Sequence, residues 1–322
     1  MREDDLRKSA AETLGRMGVE AMTAVPALIE TLKDHDAEVR SNAAFALGRI
    51  GGEAGSAVSA LSELLKDHDA WVRSSAAYAL GRVGGGAEAS VPALTSLLKD
   101  QHEEVRKEAA GALGRIGVGA KAAIPALAVL LKDKSASVRT HASEALGNMG
   151  AEAKIALPEL IESVKDQEFV VRMRSAHAIG KIGIEAREAV PLWVSLLKDP
   201  SEHIRRYAAE ELGDVGREAE AAVPALIETL KDQDNLVRMV AAKALGKVGV
   251  GAKAAVPALV GTLKDTEPLV RANAAAALGK MGDEAKAAVP ALIELKKDTA
   301  PVVSLAADEA VGKISSGGGS PR

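Results

Sequence analysis

The sequence has no cysteine, only six aromatic residues among 322, and no charge-free run longer than ten residues. Without cysteine, disulfide frameworks, thiolate metal sites and cysteine nucleophiles are all excluded. A ten-residue charge-free run falls short of the roughly 20 apolar residues that span a bilayer as a helix, so no transmembrane helix is expected. The first residues, Met-Arg-Glu-Asp-Asp, are acidic and lack an apolar stretch, which does not read as a signal peptide. No charge sign dominates: 41 Lys and Arg face 45 Asp and Glu. The broad basic footprint of a nucleic-acid binder is therefore missing. These absences point to a cytoplasmic or other intracellular soluble chain. At this length one compact core is near its upper limit, and such a core normally fills its large gaps with aromatic rings. With 47% hydrophobic residues but few rings, thin and closely packed layers are expected instead.

What the sequence does contain is a strict period. Lys-Asp pairs stand at Lys33-Asp34, Lys66-Asp67, Lys99-Asp100 and onward to Lys297-Asp298, each 33 residues after the last. Glycine keeps the same step from Gly48 to Gly312. So does proline from Pro26 to Pro290, with Ser59 as the exception. A fixed period of this length marks a repeat array rather than a compact domain. The unit from Gly51 to Gly84 predicts two helices. The first covers about Glu53 to Lys66, with Ala57, Val58, Leu61, Leu64 and Leu65 at helical spacing. In most units a proline is expected to bend this helix one turn in. The Asp-His-Asp turn offers side-chain caps for the next helix. That second helix covers about Ala70 to Val83, with Gly84 as its stop signal. Gly81, inside it, costs about 1 kcal/mol against Ala. Its recurrence predicts close approach of neighbouring backbones. Two such helices cannot bury their apolar faces alone, whereas stacked units share one continuous core.

The run Val-Pro-Ala-Leu-Ile-Glu-Thr-Leu-Lys-Asp, followed by Val-Arg-x-x-Ala-Ala-x-Ala-Leu-Gly-x-x-Gly, resembles the HEAT repeat. It is most similar to the short, regular bacterial type also found in phycobilin lyases. The resemblance covers residues 1 to about 315 and implies an all-α, right-handed solenoid of about nine and a half two-helix repeats. The chain opens with a half repeat and closes with a degenerate helix in which Ser304 replaces the recurrent arginine. A flexible Gly/Ser tail is expected over 316–322. The resemblance also implies a polar ladder between the turn aspartate of one repeat and the second-helix arginine of its neighbour. The matching residues run from Asp34 to Asp265 and from Arg40 to Arg271, including Asp67, Arg73, Asp100 and Arg106. An anion-binding strip is the other reading of that arginine column.

In such arrays the second helices line the concave face. Positions equivalent to Glu38, Asn42, Phe45 and Arg49, spaced four, three and four apart, fall on one stripe of that face. Four of the six aromatics lie on it: Phe45, Trp71, Tyr78 and Tyr207. Trp193 replaces a recurrent core leucine, so it reads as core. Phe45, Trp71 and Tyr78 with Arg49 and Arg82 form the leading candidate contact surface, since aromatics and arginine are enriched in interface hot spots. The alternative is that these rings lie flat over the small Ala/Gly groove and shield it. Leu236, Val240, Leu269 and Val302 offer a second apolar patch. His141, His177 and His203 also fall on the stripe, but at different levels and without metal-ligand spacing, so no metal site is assigned. The basic column Arg16, Arg49, Arg82, Arg115, Lys181, Lys247, Lys280 and Lys313 sits in last helical turns, where it complements the helix dipole. Asn148 and Asp214 interrupt it.

No nucleophile elbow, phosphate loop or paired-carboxylate motif is present. The family includes a di-iron hydroxylase built on repeated His-Glu dipeptides, and this sequence has one such dipeptide, His102-Glu103. The expectation is a non-catalytic scaffold or adaptor that holds a protein or peptide in the concave groove, alone or as a subunit of a larger complex. It carries no cofactor and does not bind nucleic acid or insert in a membrane. Two alternatives remain: a bilin lyase-like or chaperone-like protein acting on a tetrapyrrole or its carrier, and a designed or consensus-derived array.

Overall fold

A computed structural model describes residues 3–316, which form helices and the short turns that join them, with no strand among the described residues. From residue 317 onward the expected tail lies outside the described residues. The chain groups into two units, Met1–Gly183 and Ile184–Arg322, where the sequence suggested one continuous array.

Within each unit the repeat is the building block. In the repeat that starts at Gly51, a 3₁₀ helix over Gly51–Ala57 leads into a short α-helix, Val58–Leu64, and then into the long second helix, Ala70–Val83. The expected single first helix is thus two pieces. The prolines do not bend a longer α-helix. They stand in the first turn of the α-helical piece, for example in Val91–Leu97 and Ile124–Leu130, where a missing N–H costs nothing. The exception is Pro191, which lies inside a continuous helix, Ala186–Leu196.

Three of the second helices start on a capping turn aspartate, Asp36, Asp69 or Asp234. Asp69 Oδ1 accepts the amides of Trp71 and Val72 at 2.8 and 3.2 Å, and Asp36 caps Glu38 and Val39 in the same way. They end on glycines such as Gly84, whose φ of 78° other residues rarely adopt. By length and composition alone, Glu103–Leu130 and Asn235–Thr262 are apolar enough to cross a membrane. Each is broken in the fold, at Gly117 and Gly249 with φ of 71°, and about half of each is buried among the repeats.

Within each unit, consecutive second helices pack directly against one another. First helices meet the next repeat mainly through its 3₁₀ segment. The recurrent glycine explains the difference. A Cβ on Gly81 would lie 2.6 Å from Ala112 Cα, and one on Gly114 would lie 2.7 Å from Ala145 Cα. Backbone meets backbone there because nothing larger fits. The second helices form the tighter layer, so within each unit their face is the inner one. Between the layers runs a core of Leu, Val and Ala, with Leu61, Leu80, Leu94 and Leu113 fully buried.

Candidate functional site

The Asp and Arg columns meet at the repeat boundaries. Arg73 Nε and Nη2 donate to the two carboxylate oxygens of Asp100 at 2.8 and 3.1 Å. Its Nη1 donates to the carbonyls of Asp67 and His68 in its own turn. Arg106 repeats the arrangement on Asp133, and Arg40 on Asp67. Each aspartate also accepts the amide two residues on, as Asp100 does from His102. Burial opposes the charge on Asp100, but the Arg73 guanidinium and that amide outweigh it and hold the carboxyl below its usual range. The register adds two members that the sequence reading left out, Arg7 on Asp34 and Asp298 under Arg271. With both partners about nine-tenths buried, the guanidinium donors are occupied and offer no open anion strip.

On the inner face of the first unit, the structure brings some stripe residues together and separates others. The rings of Phe45 and Tyr78, from consecutive second helices, stack with centroids 5.2 Å apart at 19°. The Tyr78 ring lies over Gly48, in space where a Cβ would sit 2.8 Å from the ring. Tyr78 is therefore half-buried and partly fills the small-residue groove. The arginine beside it is neither Arg49 nor Arg82. Arg115 places its guanidinium 5.9 Å from the Tyr78 ring centre, a cation–π contact. Gly111 lies beside this guanidinium, and a Cβ there would stand in ordinary contact with Arg115 Nη1 at 3.5 Å and with His141 at 3.4 Å. Phe45, Tyr78 and Arg115 thus form one layer across three successive helices. Phe45 remains 45% exposed and Trp71 68% exposed, while Arg49 and Arg82 project to solvent. Sequence reasoning had set Arg115 aside with the basic column.

His177 is half-buried in this unit. Burial, aided by the charges of Arg174 and Lys181, pushes its imidazole below the ordinary histidine range. The break at Asn148 is filled, since Lys181 Nζ donates to Asn148 Oδ1 at 3.0 Å.

In the second unit, Tyr207 is not an open stripe residue. It packs edge-on against the buried Trp193 at 5.8 Å and hydrogen-bonds Glu211. Burial, then the neighbouring carboxylates, drives its hydroxyl pKa well up, and burial also raises that of Glu211. Val240, assigned to the second apolar patch, is only 8% exposed, because its position points between helices rather than out of the face. Leu236, Leu269 and Val302 are exposed and share one register position at the starts of three second helices. His203 is exposed, with Glu202 at 3.6 Å. Asp214, the other break in the basic column, pairs with Lys247. Among the described residues no three His, Asp or Glu side chains are grouped to hold a metal ion.

The HEAT repeats family matches residues 2–81, 52–110, 91–180, 190–250 and 223–312. No curated protein matches. Among solved structures, the chain is similar to an engineered protein at 28% identity, covering 99% of this chain and 97% of that one, with a TM-score of 0.65. It is also similar to the YibA protein of Escherichia coli at 27% identity, covering 78% and 91%, with a TM-score of 0.55. Importin beta shares the fold at 16% identity and a TM-score of 0.65, over 90% of this chain and 44% of that one. The stacked two-helix units, the Asp–Arg ladder and a family match over most of the sequence agree, and the chain belongs to the HEAT-repeat family.

Proposed function

We propose that the protein is a non-catalytic scaffold that captures a protein or peptide segment on the inner face of its second helices. The observation that carries this reading is Trp71. It is a large apolar ring left 68% exposed on the same face as the Phe45–Tyr78–Arg115 layer. Tryptophan, tyrosine and arginine dominate binding energy where a partner can desolvate them. The pre-stacked layer presents a rigid platform, so little side-chain entropy is lost on binding. A segment with apolar or aromatic anchors fits this chemistry, with Arg115 able to face a carboxylate or a carbonyl.

The test uses the fluorescence of the protein itself. The only other tryptophan is Trp193, 1% exposed and in the other unit, so Trp193→Phe leaves Trp71 as the sole emitter. Peptides selected from a display library against the wild-type protein should shift Trp71 emission. They should also lose at least tenfold in affinity in Trp71→Ala and Phe45→Ala, with unfolding midpoints nearly unchanged. Selected peptides that bind all variants equally would place recognition elsewhere.

A further inference from the structure

A second surface, on the opposite layer of the first unit, departs from the repeat pattern at three neighbouring positions. Between the first helices of two consecutive repeats, Ile124–Leu130 and Leu157–Ser163, lies an open groove of about 950 Å3 that extends to the Lys-Asp turns. Val129 lies on its wall where the equivalent residues are Glu30, Glu63, Glu162, Glu228 and Glu294 in other repeats. Ile155 stands where most repeats have Ala or Ser. Glu159 stands where seven repeats have Ala and one has Leu192, within the recurrent Pro-Ala-Leu. Val129 is 72% exposed and Ile155 75%, the two most exposed large aliphatic side chains described. A solvated helix surface gains nothing from replacing Glu by Val or Ala by Ile, so two such replacements facing one groove mark a surface meant to be covered.

The charges around the groove indicate the character of the occupant. In four other repeats the lysine before the turn aspartate pairs with the glutamate three residues earlier, in Lys33–Glu30, Lys165–Glu162, Lys231–Glu228 and Lys297–Glu294, while Ser195 and Gly261 take the glutamate's place before Lys198 and Lys264. In this groove those glutamates are replaced, by Ser96 before Lys99 and by Val129 before Lys132. Lys134 adds a third cation, and none of the three lysines has an ion pair among the described residues. The acids Asp100 and Asp133 are neutralised by Arg73 and Arg106. Glu159 is the remaining unpaired charge, and its Oε2 is buried without any hydrogen-bond partner. An orphaned carboxylate oxygen is costly and is relieved by a donor that arrives with a ligand.

We propose that this groove docks an acidic amphipathic peptide segment. Its apolar side chains cover Val129, Ile155 and Pro125, and its flanking carboxylates meet Lys99 and Lys132. One hydrogen-bond donor, a lysine side chain or free helix N-terminal amides, reaches Glu159. The site lies on the first-helix layer and does not depend on the reading of the inner face.

The test exploits the repeat itself. Val129→Glu, Ile155→Ala and Glu159→Ala each install the residue found at the same position in other repeats, so the variants should fold. The probe is a fluorescein-labelled 16-residue helical peptide with leucines at i, i+3, i+4 and i+7, glutamates flanking that face and one central lysine. Fluorescence anisotropy should show salt-sensitive binding to the full-length wild-type protein. Val129→Glu with Ile155→Ala should weaken it at least tenfold, and Glu159→Ala at least threefold for the lysine-bearing peptide only. Trp71→Ala should leave it unchanged, which separates this site from the inner face. Failure of the peptide to bind, equal binding of a version with lysines in place of the glutamates, or equal binding by the reverted protein would each overturn the proposal. So would sedimentation showing that the wild-type chain self-associates through this groove and the double variant does not.

Discussion

Replacing a helical glycine by alanine gives opposite signs at two positions of this chain, and the sign tests the packing argument. In an exposed helix interior the change stabilises by about 1 kcal/mol, because glycine loses more backbone entropy on folding. Gly261, inside Val256–Thr262, has open space where a Cβ would stand, with nothing within 4 Å, so Gly261→Ala should be more stable by about 0.5–1 kcal/mol. Gly81 has the same propensity to gain, but its Cβ would meet Ala112 Cα at 2.6 Å and Ala112 Cβ at 3.0 Å. Ordinary carbon contacts lie at about 3.5–4.0 Å, so the neighbouring helix must retreat by about 1 Å. The obstacle is backbone, and no rotamer change relieves it. Overpacking of this kind costs about 1–3 kcal/mol, more than the propensity gain. The retreat also stretches the Arg73–Asp100 pair that spans the same boundary. Gly81→Ala should therefore be less stable by about 1–2 kcal/mol. Urea unfolding followed by far-ultraviolet circular dichroism reads both variants, with shifts in midpoint taken at unchanged slope. Stabilisation by both substitutions would refute the claim that the recurrent glycine sets the spacing of the inner layer.

The ladder supplies two further expectations. Asp100→Ala removes one partner of a largely buried bidentate pair and leaves the Arg73 guanidinium short of its acceptors, so it should cost about 2–4 kcal/mol by thermal or urea unfolding. A cost under about 1 kcal/mol would reduce the ladder to a surface ion pair. Because Asp67, Asp100, Asp133 and Asp166 are held below their usual range, the folded state binds fewer protons than the unfolded chain near and below about pH 4. Their contribution is fully present above about pH 4 and is lost as pH falls through the folded values. The ladder's own contribution should be level from about pH 5 to 8, and midpoints should fall below about pH 4, less steeply in a variant carrying Asp100→Asn and Asp133→Asn. An acid limb identical in that variant would assign the acid sensitivity to other groups.

Much of the chain could be read without coordinates because a repeat encodes itself locally. The 33-residue step, the helix ends at Asp69 and Gly84, the buried Trp193 and the close approach at Gly81 follow from spacing, capping and side-chain size within a few turns of chain. The Asp and Arg columns were legible for the same reason, since both recur at fixed offsets. The first helix was misread because a proline in the first turn of an α-helix and a proline inside one look alike in sequence. What surrounds it decides, here a 3₁₀ lead-in in most repeats.

The inner stripe and the outer groove depended on something else, namely which side chain meets which across a repeat boundary. Tyr78 is half-covered because Gly48 lies beneath it, Phe45 beside it and Arg115 over it, all three from neighbouring repeats. Tyr207 folds against Trp193, and Val240 turns between helices, although both share the stripe's period. Val129, Ile155 and Glu159 were unremarkable as single departures from a pattern. They acquire meaning because two consecutive first helices place them around one cavity. The scarcity of aromatics and cysteine, with the 33-residue period, was enough to specify the layers. Helical period assigns a residue to a face, but its exposure depends on the size and shape of its neighbours one repeat away, and only the tertiary structure brings those together.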